Sequence, residues 1–424
     1  MSQLPLPHGF LFGTATSSHQ VEGGNRNDWT QWEQRDADLL VKAAGDFHYS
    51  LGKRKGLPPE AFQRQNYISG LATDHYHRYK EDLDIAQQLG LDVFSFSIEW
   101  SRIEPAKGHY NTAEIKHYRQ VAEACIARGM QPFVTLWHFT LPLWAAPLGW
   151  ESDEVVNRFE AFAALMAEQL GDIVKHWTTI NEPTVYAVLA HAPAYIIPPS
   201  GRWLNYRRGF RTYFHVCRQL VRAHQRAYRA IKRMHPDTQV GIRLSYTYYD
   251  GWRDPISIVV RNVRRYFTNG YFAKRVAAEV DWLGLQYYVH IRVRLVPYVR
   301  ADSQKTDLDY ELYPKGHYWL LKDLAKFGKP IYISESGLAD RHDRYRADYI
   351  KASLNSIAMA THEGVDCRGY NYWSLLDNFE WSQGFWPRFG LVAIDYEHDR
   401  QRTIRPSAFI YKTLIKGYKN DTHI

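Results

Sequence analysis

Two glutamates stand at the ends of apolar runs, where a buried charge is costly unless it has a role. Glu335 ends the run 330–335, and Gly337 follows as a turn residue. Glu182 ends a second run, 176–182. Each pattern predicts a buried strand of a parallel sheet with a carboxylate at its C-terminal end. Two carboxylates placed in this way predict a proton donor paired with a nucleophile.

The elements that must position these carboxylates alternate regularly along the chain. Eight strand–helix repeats predict an α/β fold, a single (β/α)8 TIM barrel domain over residues 1–424. A doubly wound open sheet is the alternative, but no glycine-rich phosphate loop follows the first strand. The stretch 25–72 lacks periodicity and is predicted to be irregular. Strands are predicted at 10–16, 93–100, 131–138, 176–182, 238–245, 282–288, 330–335 and 367–375, and helices at 74–89, 114–128, 153–170, 207–234, 256–278, 315–327, 345–363 and 407–418.

In a barrel of this kind, functional residues collect at the C-terminal ends of the strands. The predicted ends carry hydrogen-bonding and aromatic side chains around the two carboxylates. A polyhydroxylated ligand suits this lining, because each hydroxyl must find donors and acceptors once it leaves water. Each residue alone could be a satisfied buried polar group, but seven at matching strand ends favour a shared site. They are Gln20, His138, Asn181, Glu182, Tyr288, Glu335 and Trp373.

The net charge of +8 is concentrated in the stretches 202–233 and 261–275. Arginines recur at mostly helical spacing in the first stretch, which is typical of a solvated helix face. A phosphate-binding stripe is the alternative interpretation. We expect no nucleic-acid partner.

Several further classes of protein are disfavoured by the sequence. Cys125, Cys217 and Cys367 are widely spaced without zinc-ligand neighbours, which indicates a reducing compartment and a cytoplasmic location. His75 and His77 face different sides of a predicted helix and lack a third ligand, so we expect no metal and no cofactor. There is no leader-like N-terminus and no run of 18 apolar residues, so we expect no signal peptide, membrane span or membrane partner.

Four motifs resemble glycoside hydrolase family 1, the retaining β-glucosidase and β-galactosidase family, and the resemblance runs nearly end to end. Residues 10–23 resemble its N-terminal signature, and Thr-Ile-Asn-Glu-Pro at 179–183 is similar to its acid/base motif. Tyr-Ile-Ser-Glu-Ser-Gly at 332–337 resembles the nucleophile motif. Residues 373–381 resemble the loop that binds the sugar.

The resemblance implies that Glu335 attacks the anomeric carbon, and that Glu182 first protonates the leaving oxygen and later activates water. Retention requires the two carboxyls to lie about 5 Å apart. The implied activity is hydrolysis of terminal unphosphorylated β-D-glycosides or oligosaccharides, chiefly β-glucosides, with β-galactosides and β-fucosides as side substrates. By analogy with the family, the sugar hydroxyls would be held by Gln20, His138, Asn181, Trp373, Glu380 and Trp381.

Two further residues bear on which substrates are accepted. Glu380 argues against 6-phospho-glycosides, since a carboxylate would repel the phosphate. Tyr310 falls where the family often offers an aromatic platform to the leaving group. The loop 291–314 is expected to shape the entrance.

Three departures from the family pattern occur in motifs near Glu335. Ser95 replaces the arginine that usually pairs with the nucleophile, Gln286 replaces an asparagine, and Ser336 replaces the asparagine after the nucleophile. Loss of a cation should raise the pKa of the nucleophile. Arg243, in the fifth strand, could supply the missing guanidinium from another direction, or it could point outward into a salt bridge.

Two alternatives to hydrolysis follow from these departures. A carbohydrate-binding pseudoenzyme would keep the pocket and lose turnover. A transglycosylase would pass the sugar to another sugar or an alcohol instead of water. The presence of both Glu182 and Glu335 favours an enzyme.

Overall fold

Eight parallel strands close into a barrel in the computed structural model, which describes residues 4–44, 56–191, 206–251, 254–293, 297–298 and 303–421. Each strand pairs with the next around the barrel, and the fifth pairs with the sixth, so the sheet closes as the sequence predicted. A doubly wound open sheet is therefore excluded. The barrel strands are Leu11–Ala15, Val93–Ser97, Gln131–Trp137, His176–Asn181, Gln239–Gly251, Trp282–Val293, Ile331–Ser336 and Cys367–Trp373.

The strand register brings the polar strand ends to one level. Asn181 lies opposite Arg243 on the next strand. Ser245 lies opposite Gln286, and Gln286 lies opposite Glu335. Residues that are far apart in sequence therefore meet at the C-terminal mouth of the barrel, as a parallel barrel requires.

Helices surround the barrel and cover the outward faces of its strands. The seventh strand is buried along its whole length, which explains its apolar first half and makes the buried Glu335 in its second half exceptional. The α-helices are Ser18–Val21, Asp28–Ala43, His75–Gln88, Trp100–Ile103, Thr112–Ala127, Asp153–Leu170, Pro183–His191, Tyr206–Met234, Pro255–Arg265, Tyr271–Val276, Gly316–Leu324, Arg346–His362 and Pro406–Asp421.

The prediction of an irregular stretch at 25–72 is wrong, because Asp28–Ala43 is a helix of 16 residues. Asn27 caps it by accepting a hydrogen bond from the Thr30 backbone N–H, and the Thr30 side chain accepts one from the Asn27 N–H. Trp29 and Trp32 bury their rings on its inner side. The capping pair and the spacing of the tryptophans were the sequence signals for this helix.

Two other predicted helices differ in detail. Asp74 precedes the helix His75–Gln88 but has a left-handed φ of 57° and makes no capping bond through its side chain. The predicted helix 256–278 is interrupted by a π-helical turn at Tyr266–Gly270. Asn269 in that turn exchanges hydrogen bonds with the backbone of Thr247 on the fifth strand. The interruption therefore fixes the helix to the barrel.

The fifth and sixth strands extend well beyond their predicted ends at residues 245 and 288, to Gly251 and Val293. The two extensions remain paired to their tips, where Gly251 lies opposite Val293. They form a ribbon that rises past the mouth of the barrel. The remaining strands are a two-residue strand, Pro297–Tyr298, beside the sixth strand and a hairpin of Val392–Asp395 with Gln401–Ile404.

Arginines on the long helix Tyr206–Met234 pair with carboxylates of neighbouring helices. Arg222 lies 2.5 Å from Asp153, and Arg233 lies 3.3 Å from Glu160. This arrangement is that of a solvated helix face. Within the described residues, no helix is long and apolar enough to cross a membrane.

Candidate active site at the mouth of the barrel

Glu335 ends the seventh strand with its carboxylate held from two sides. The Tyr288 hydroxyl donates a hydrogen bond of 3.0 Å to Oε2. Arg243 Nη1 lies 3.6 Å from Oε1. Glu335 is only 4% exposed, and its Oε1 accepts no hydrogen bond from the described residues. One oxygen is therefore anchored, while the other lies beside a cation and is available to a ligand.

Arg243 reaches this position from the fifth strand and is 1% exposed. Its Nη2 donates to the Ser95 hydroxyl, and its Nε donates to the Thr178 hydroxyl at 3.2 Å. Gly284 gives the side chain room, because a Cβ there would lie 2.9 Å from Arg243 Cγ. The guanidinium points into the barrel rather than outward, and Ser95 serves as its acceptor.

The Arg243 guanidinium stays charged at neutral pH despite its burial. Burial lowers its pKa to about 10, while the Glu335 carboxylate acts in the opposite direction. A buried cation of this kind persists when it is paired and hydrogen-bonded. The guanidinium therefore remains charged throughout the neutral range.

Glu182 follows the fourth strand in a different setting. Its φ is 43°, in the left-handed region, and its backbone N–H donates to the Arg243 carbonyl at 3.0 Å. Ser245 hydrogen-bonds to its carboxyl. Among the described residues, no cation lies within 4 Å of this carboxyl. A strained backbone held by a neighbouring strand is common at active sites.

Burial raises the pKa of both carboxyls, and the charge of Glu182 raises that of Glu335 further. Arg243 and the Tyr288 hydroxyl act in the opposite direction on Glu335. Two close carboxyls share their protons, so the pair loses its first proton where the anion is better stabilised. The described residues place a cation and a hydroxyl donor beside Glu335, which favours the anion at that position.

Glu380 lies next to Gln20 on another side of the mouth. Gln20 Nε2 lies 3.4 Å from Glu380 Oε2 and also donates to the Phe379 carbonyl at 2.9 Å. Ser17 donates to Gln20 Oε1 at 2.6 Å, which fixes the orientation of the amide. Burial and the charge of Glu182 raise the pKa of Glu380 to about 8.

A chain of amides and an imidazole links the third, fourth and sixth strands. Gln286 donates to Asn181 Oδ1 at 2.9 Å, and Asn181 donates to His138 Nε2 at 3.0 Å. Burial and the nearby Arg243 lower the pKa of His138 well below its usual value, so the ring is neutral. An accepting Nε2 places the proton on Nδ1, which has no partner among the described residues. His138 can therefore donate one hydrogen bond to a ligand.

Two tryptophans complete the wall. Trp381 stacks on His19 with ring centroids 5.4 Å apart and packs against Phe139 at 5.0 Å. Trp373 lies 6.1 Å from the His138 ring. Apolar ring faces beside hydrogen-bonding groups suit the mixed surface of a sugar.

Two other predicted residues lie further from the carboxylates. Tyr310 is half-buried and packs against a cluster that contains Trp373 and Phe389, at the edge of the mouth. Ser336 points away from the mouth, since its hydroxyl lies 2.9 Å from His317 Nε2 and 3.0 Å from Tyr349 Oη in the helix layer. Because side chains alternate along a strand, the neighbour of an inward Glu335 must face outward.

The structure therefore separates the three departures from the family pattern. Gln286 lies beside Glu335 in register, but its amide contacts Asn181. Only Ser95 is part of the contacts that hold the cation on Glu335. Sequence reasoning missed Ser245, Thr178 and Ser17, all small hydroxyl residues in or next to strands. Only their position in or next to strands could have indicated a role in the site. Their residue type could not, because serine and threonine are common in strands.

No group of three or more metal-ligating side chains occurs among the described residues. The arrangement is that of a barrel with a carboxylate pair and a polar, aromatic lining. Such a site can transfer a glycosyl group.

The chain belongs to glycosyl hydrolase family 1, whose model matches residues 2–280 and 273–420. It is 30% identical to β-glucosidase A of Thermotoga maritima, over 98% of this chain and 99% of the relative. The β-galactosidase of Sulfolobus acidocaldarius is 28% identical, over 98% of this chain and 96% of the relative.

Solved structures agree with this assignment. A β-glycosidase from Pyrococcus horikoshii superposes with a TM-score of 0.84 at 32% identity, covering 98% of this chain and 96% of that one. The Thermotoga maritima β-glucosidase in complex with glucoimidazole gives a TM-score of 0.82 at 28% identity, covering 98% and 99%. The protein is a glycoside hydrolase that cleaves β-glycosides with retention, and its substrate is a small-molecule glycoside.

Proposed function

We propose that Glu335 is the nucleophile and Glu182 the acid and base of a double displacement on terminal β-glycosides. The observation that supports this assignment is the difference in charge between the two sites. Arg243 and Tyr288 stabilise an anion at Glu335, whereas Glu182 has no cation beside it among the described residues.

The reaction then proceeds in two steps. Glu335 Oε1 attacks the anomeric carbon while Glu182 gives its proton to the leaving oxygen, and a glycosyl–enzyme ester forms. As the charge on Glu335 is lost, the pKa of Glu182 falls and it becomes a base. Water gives a proton to Glu182 and attacks the anomeric carbon, which releases the sugar with retained configuration.

Arg243 acts in this account as the cation that holds Glu335 ionised. It takes the place of the arginine that Ser95 replaces, and it approaches from the fifth strand instead of the second. The altered sequence around Glu335 therefore does not favour a pseudoenzyme, because the charge is supplied from another strand.

The sugar hydroxyls are held by a set of donors and acceptors at the mouth. Glu380 and Gln20 form one group, and the neutral His138 with Asn181 forms another. Glu380 favours an unphosphorylated sugar. We propose β-glucosides as the main substrates, with β-galactosides and β-fucosides as side substrates. The complete set is Gln20, His138, Asn181, Tyr288, Trp373, Glu380 and Trp381.

Tyr310 supplies the platform for the leaving group in this proposal, since it is half-buried at the edge of the mouth next to Trp373. Residues 1–424 form one catalytic domain, since the family match extends over nearly the whole chain. We assign the protein to the cytoplasm because Cys125, Cys217 and Cys367 are all buried and unpaired.

Trapping of the intermediate tests the proposal. A 2-deoxy-2-fluoro-β-glucoside with a 2,4-dinitrophenolate leaving group should attach one sugar per chain, on the peptide that contains Glu335. The fluorine slows both steps, and the good leaving group lets only the first proceed. Glu335→Gln should form no adduct, whereas Glu182→Gln should still form it, because this leaving group needs no proton. A protein that binds sugars without forming the adduct would contradict the proposal.

A further inference from the structure

The helix Pro255–Arg265 presents an apolar face to solvent. Ile256, Val259, Val260 and Val263 fall in a sector of about 100° when plotted at 100° per residue, while Ile258 falls on the opposite side. The π-helical turn after the helix adds two exposed aromatic rings. The exposed fractions are 59% for Ile256, 60% for Val259, 51% for Val263, 43% for Tyr266 and 38% for Phe267.

The inner face of this helix is mostly polar, although the half-buried Ile258 also lies on it. Ser257 is 1% exposed, and its backbone N–H donates to the capping Asp254 at 2.9 Å. Arg265 pairs with Asp323 at 2.7 Å on the neighbouring helix. A surface helix normally buries its apolar side. The wider apolar sector of this helix faces outward, so packing among the described residues does not explain it.

The helix stands at the rim of the active site. It follows the fifth strand, which extends six residues past Ser245, or about 20 Å. Asn269, just after the helix, is bonded to Thr247 on that extension. The apolar face therefore flanks the ribbon that rises beside the mouth.

Exposed cations lie near the apolar face, although Asp254 caps the start of the helix. The sequence has no acidic residue from 255 to 278. Arg264 is exposed on the helix itself, and Lys274 is exposed just beyond it. Phe267 contacts Phe214 with ring centroids 6.1 Å apart, which connects the face to the long helix that carries the exposed Arg218.

We propose that this face binds the surface of a bilayer that contains anionic lipid. An amphipathic helix with exposed Val, Ile, Tyr and Phe and flanking arginines has the composition of helices that lie in the lipid interface. A symmetric contact with a second copy of the chain would bring the arginines of both copies together, which is unfavourable. The sequence-based expectation of no membrane partner rested on the lack of a membrane-spanning segment. A helix that lies in the lipid interface does not need a spanning segment, so that expectation does not bear on this proposal.

The docked face would bring the mouth close to the lipid surface. The substrates it then favours are β-glycosides whose leaving group is an amphiphilic, membrane-borne alcohol. This extension rests on the proposed function, whereas docking itself does not.

Co-sedimentation with vesicles tests the docking. The wild-type protein should bind vesicles of phosphatidylcholine and phosphatidylglycerol in equal parts. Binding to vesicles of pure phosphatidylcholine should be much weaker, and so should binding to the mixed vesicles in high salt. The double variant Val259→Ser with Val263→Ser should bind about tenfold more weakly, since two aliphatic side chains no longer enter the interface. Arg264→Glu should also weaken binding.

The matched control is the pair Phe409→Ser and Ile410→Ser, which are 44% and 46% exposed on the final helix. It should bind vesicles like the wild type. Absence of binding to anionic vesicles, or an equal loss in the control, would overturn the proposal. A doubled molar mass in light scattering that Val259→Ser with Val263→Ser abolishes would assign the face to self-association and overturn it as well.

Hydrolysis of soluble 4-nitrophenyl β-glucoside separates this inference from the proposed function. All these variants should retain wild-type rates, because none of the changed residues lines the mouth. Hydrolysis without vesicle binding would reject the docking alone. Vesicle binding without hydrolysis would reject the proposed function alone.

Discussion

Glu335 and Glu182 are both carboxyls at strand ends, yet their surroundings differ in charge. Glu335 has a guanidinium at 3.6 Å and a phenolic hydroxyl at 3.0 Å. Glu182 has the hydroxyl of Ser245 and, among the described residues, no cation within 4 Å. Burial raises the pKa of both. Burial alone therefore does not distinguish the two carboxyls, and in the proposed mechanism the buried cation assigns their roles.

The sign of the pH dependence follows from this difference. In the proposed mechanism Glu335 must be ionised, so activity falls as the pH drops through its pKa. Glu182 must be protonated, so activity falls as the pH rises through its pKa. Arg243 acts to lower the pKa of Glu335, so we expect it to move the first limb to lower pH.

The largest expected effect is that of removing the nucleophile. Glu335→Ala should lower kcat/KM for 4-nitrophenyl β-glucoside on the order of 10⁴-fold or more, because no covalent intermediate can form. Added azide should restore some turnover by entering from the vacated side, and it should give the α-glycosyl azide. A β-glycosyl azide from this variant would reverse the assignment of the two glutamates.

Removal of the acid and base should have a smaller effect that depends on the leaving group. Glu182→Ala should slow the cleavage of alkyl β-glucosides about 10³-fold, but scarcely slow the first step with 2,4-dinitrophenolate, which leaves without a proton. Its pH profile should lose the alkaline limb, and azide should yield the β-glycosyl azide. Equal losses for both leaving groups would contradict an acid role.

Relocation of the cation tests whether its position on the fifth strand matters. Arg243→Ser should reduce kcat/KM about 10²-fold at neutral pH. Adding Ser95→Arg should return the guanidinium from the second strand and recover about tenfold of the loss. If the double variant is folded, by circular dichroism and thermal unfolding, but no more active than Arg243→Ser, the two positions are not interchangeable.

The smallest effect is expected at Ser336, next to the nucleophile in sequence. Ser336→Ala should change kcat/KM by less than about threefold, because its hydroxyl faces His317 and Tyr349. It should lower the free energy of unfolding by about 1 kcal/mol through the lost hydrogen bonds. Ser334→Ala is the control, since among the described residues its hydroxyl donates only to the Leu285 carbonyl, at 3.5 Å. A large loss of activity in Ser336→Ala would place that side chain in the reaction.

The sequence predicted the barrel and its polar mouth because strand–helix alternation and strand-end residues are local patterns. It did not reveal the ribbon beyond Ser245 and Tyr288, because half-exposed strand residues lose the apolar alternation. The inward orientation of Arg243 could not be chosen from sequence either, since it depends on space left by Ser95, Thr178 and Gly284 on other strands. Long-range packing, rather than local propensity, determines such details.

The rate of labelling of Glu335 by the 2-fluoro glycoside, measured against pH, tests the central claim most directly. The first step with this leaving group requires only that Glu335 be ionised, so the acid limb reports its pKa. In Arg243→Met the limb should move to higher pH by at least about one unit, and in Arg243→Lys it should move less. An acid limb at the same pH in the wild type and in Arg243→Met would contradict the claim that Arg243 holds Glu335 as a carboxylate.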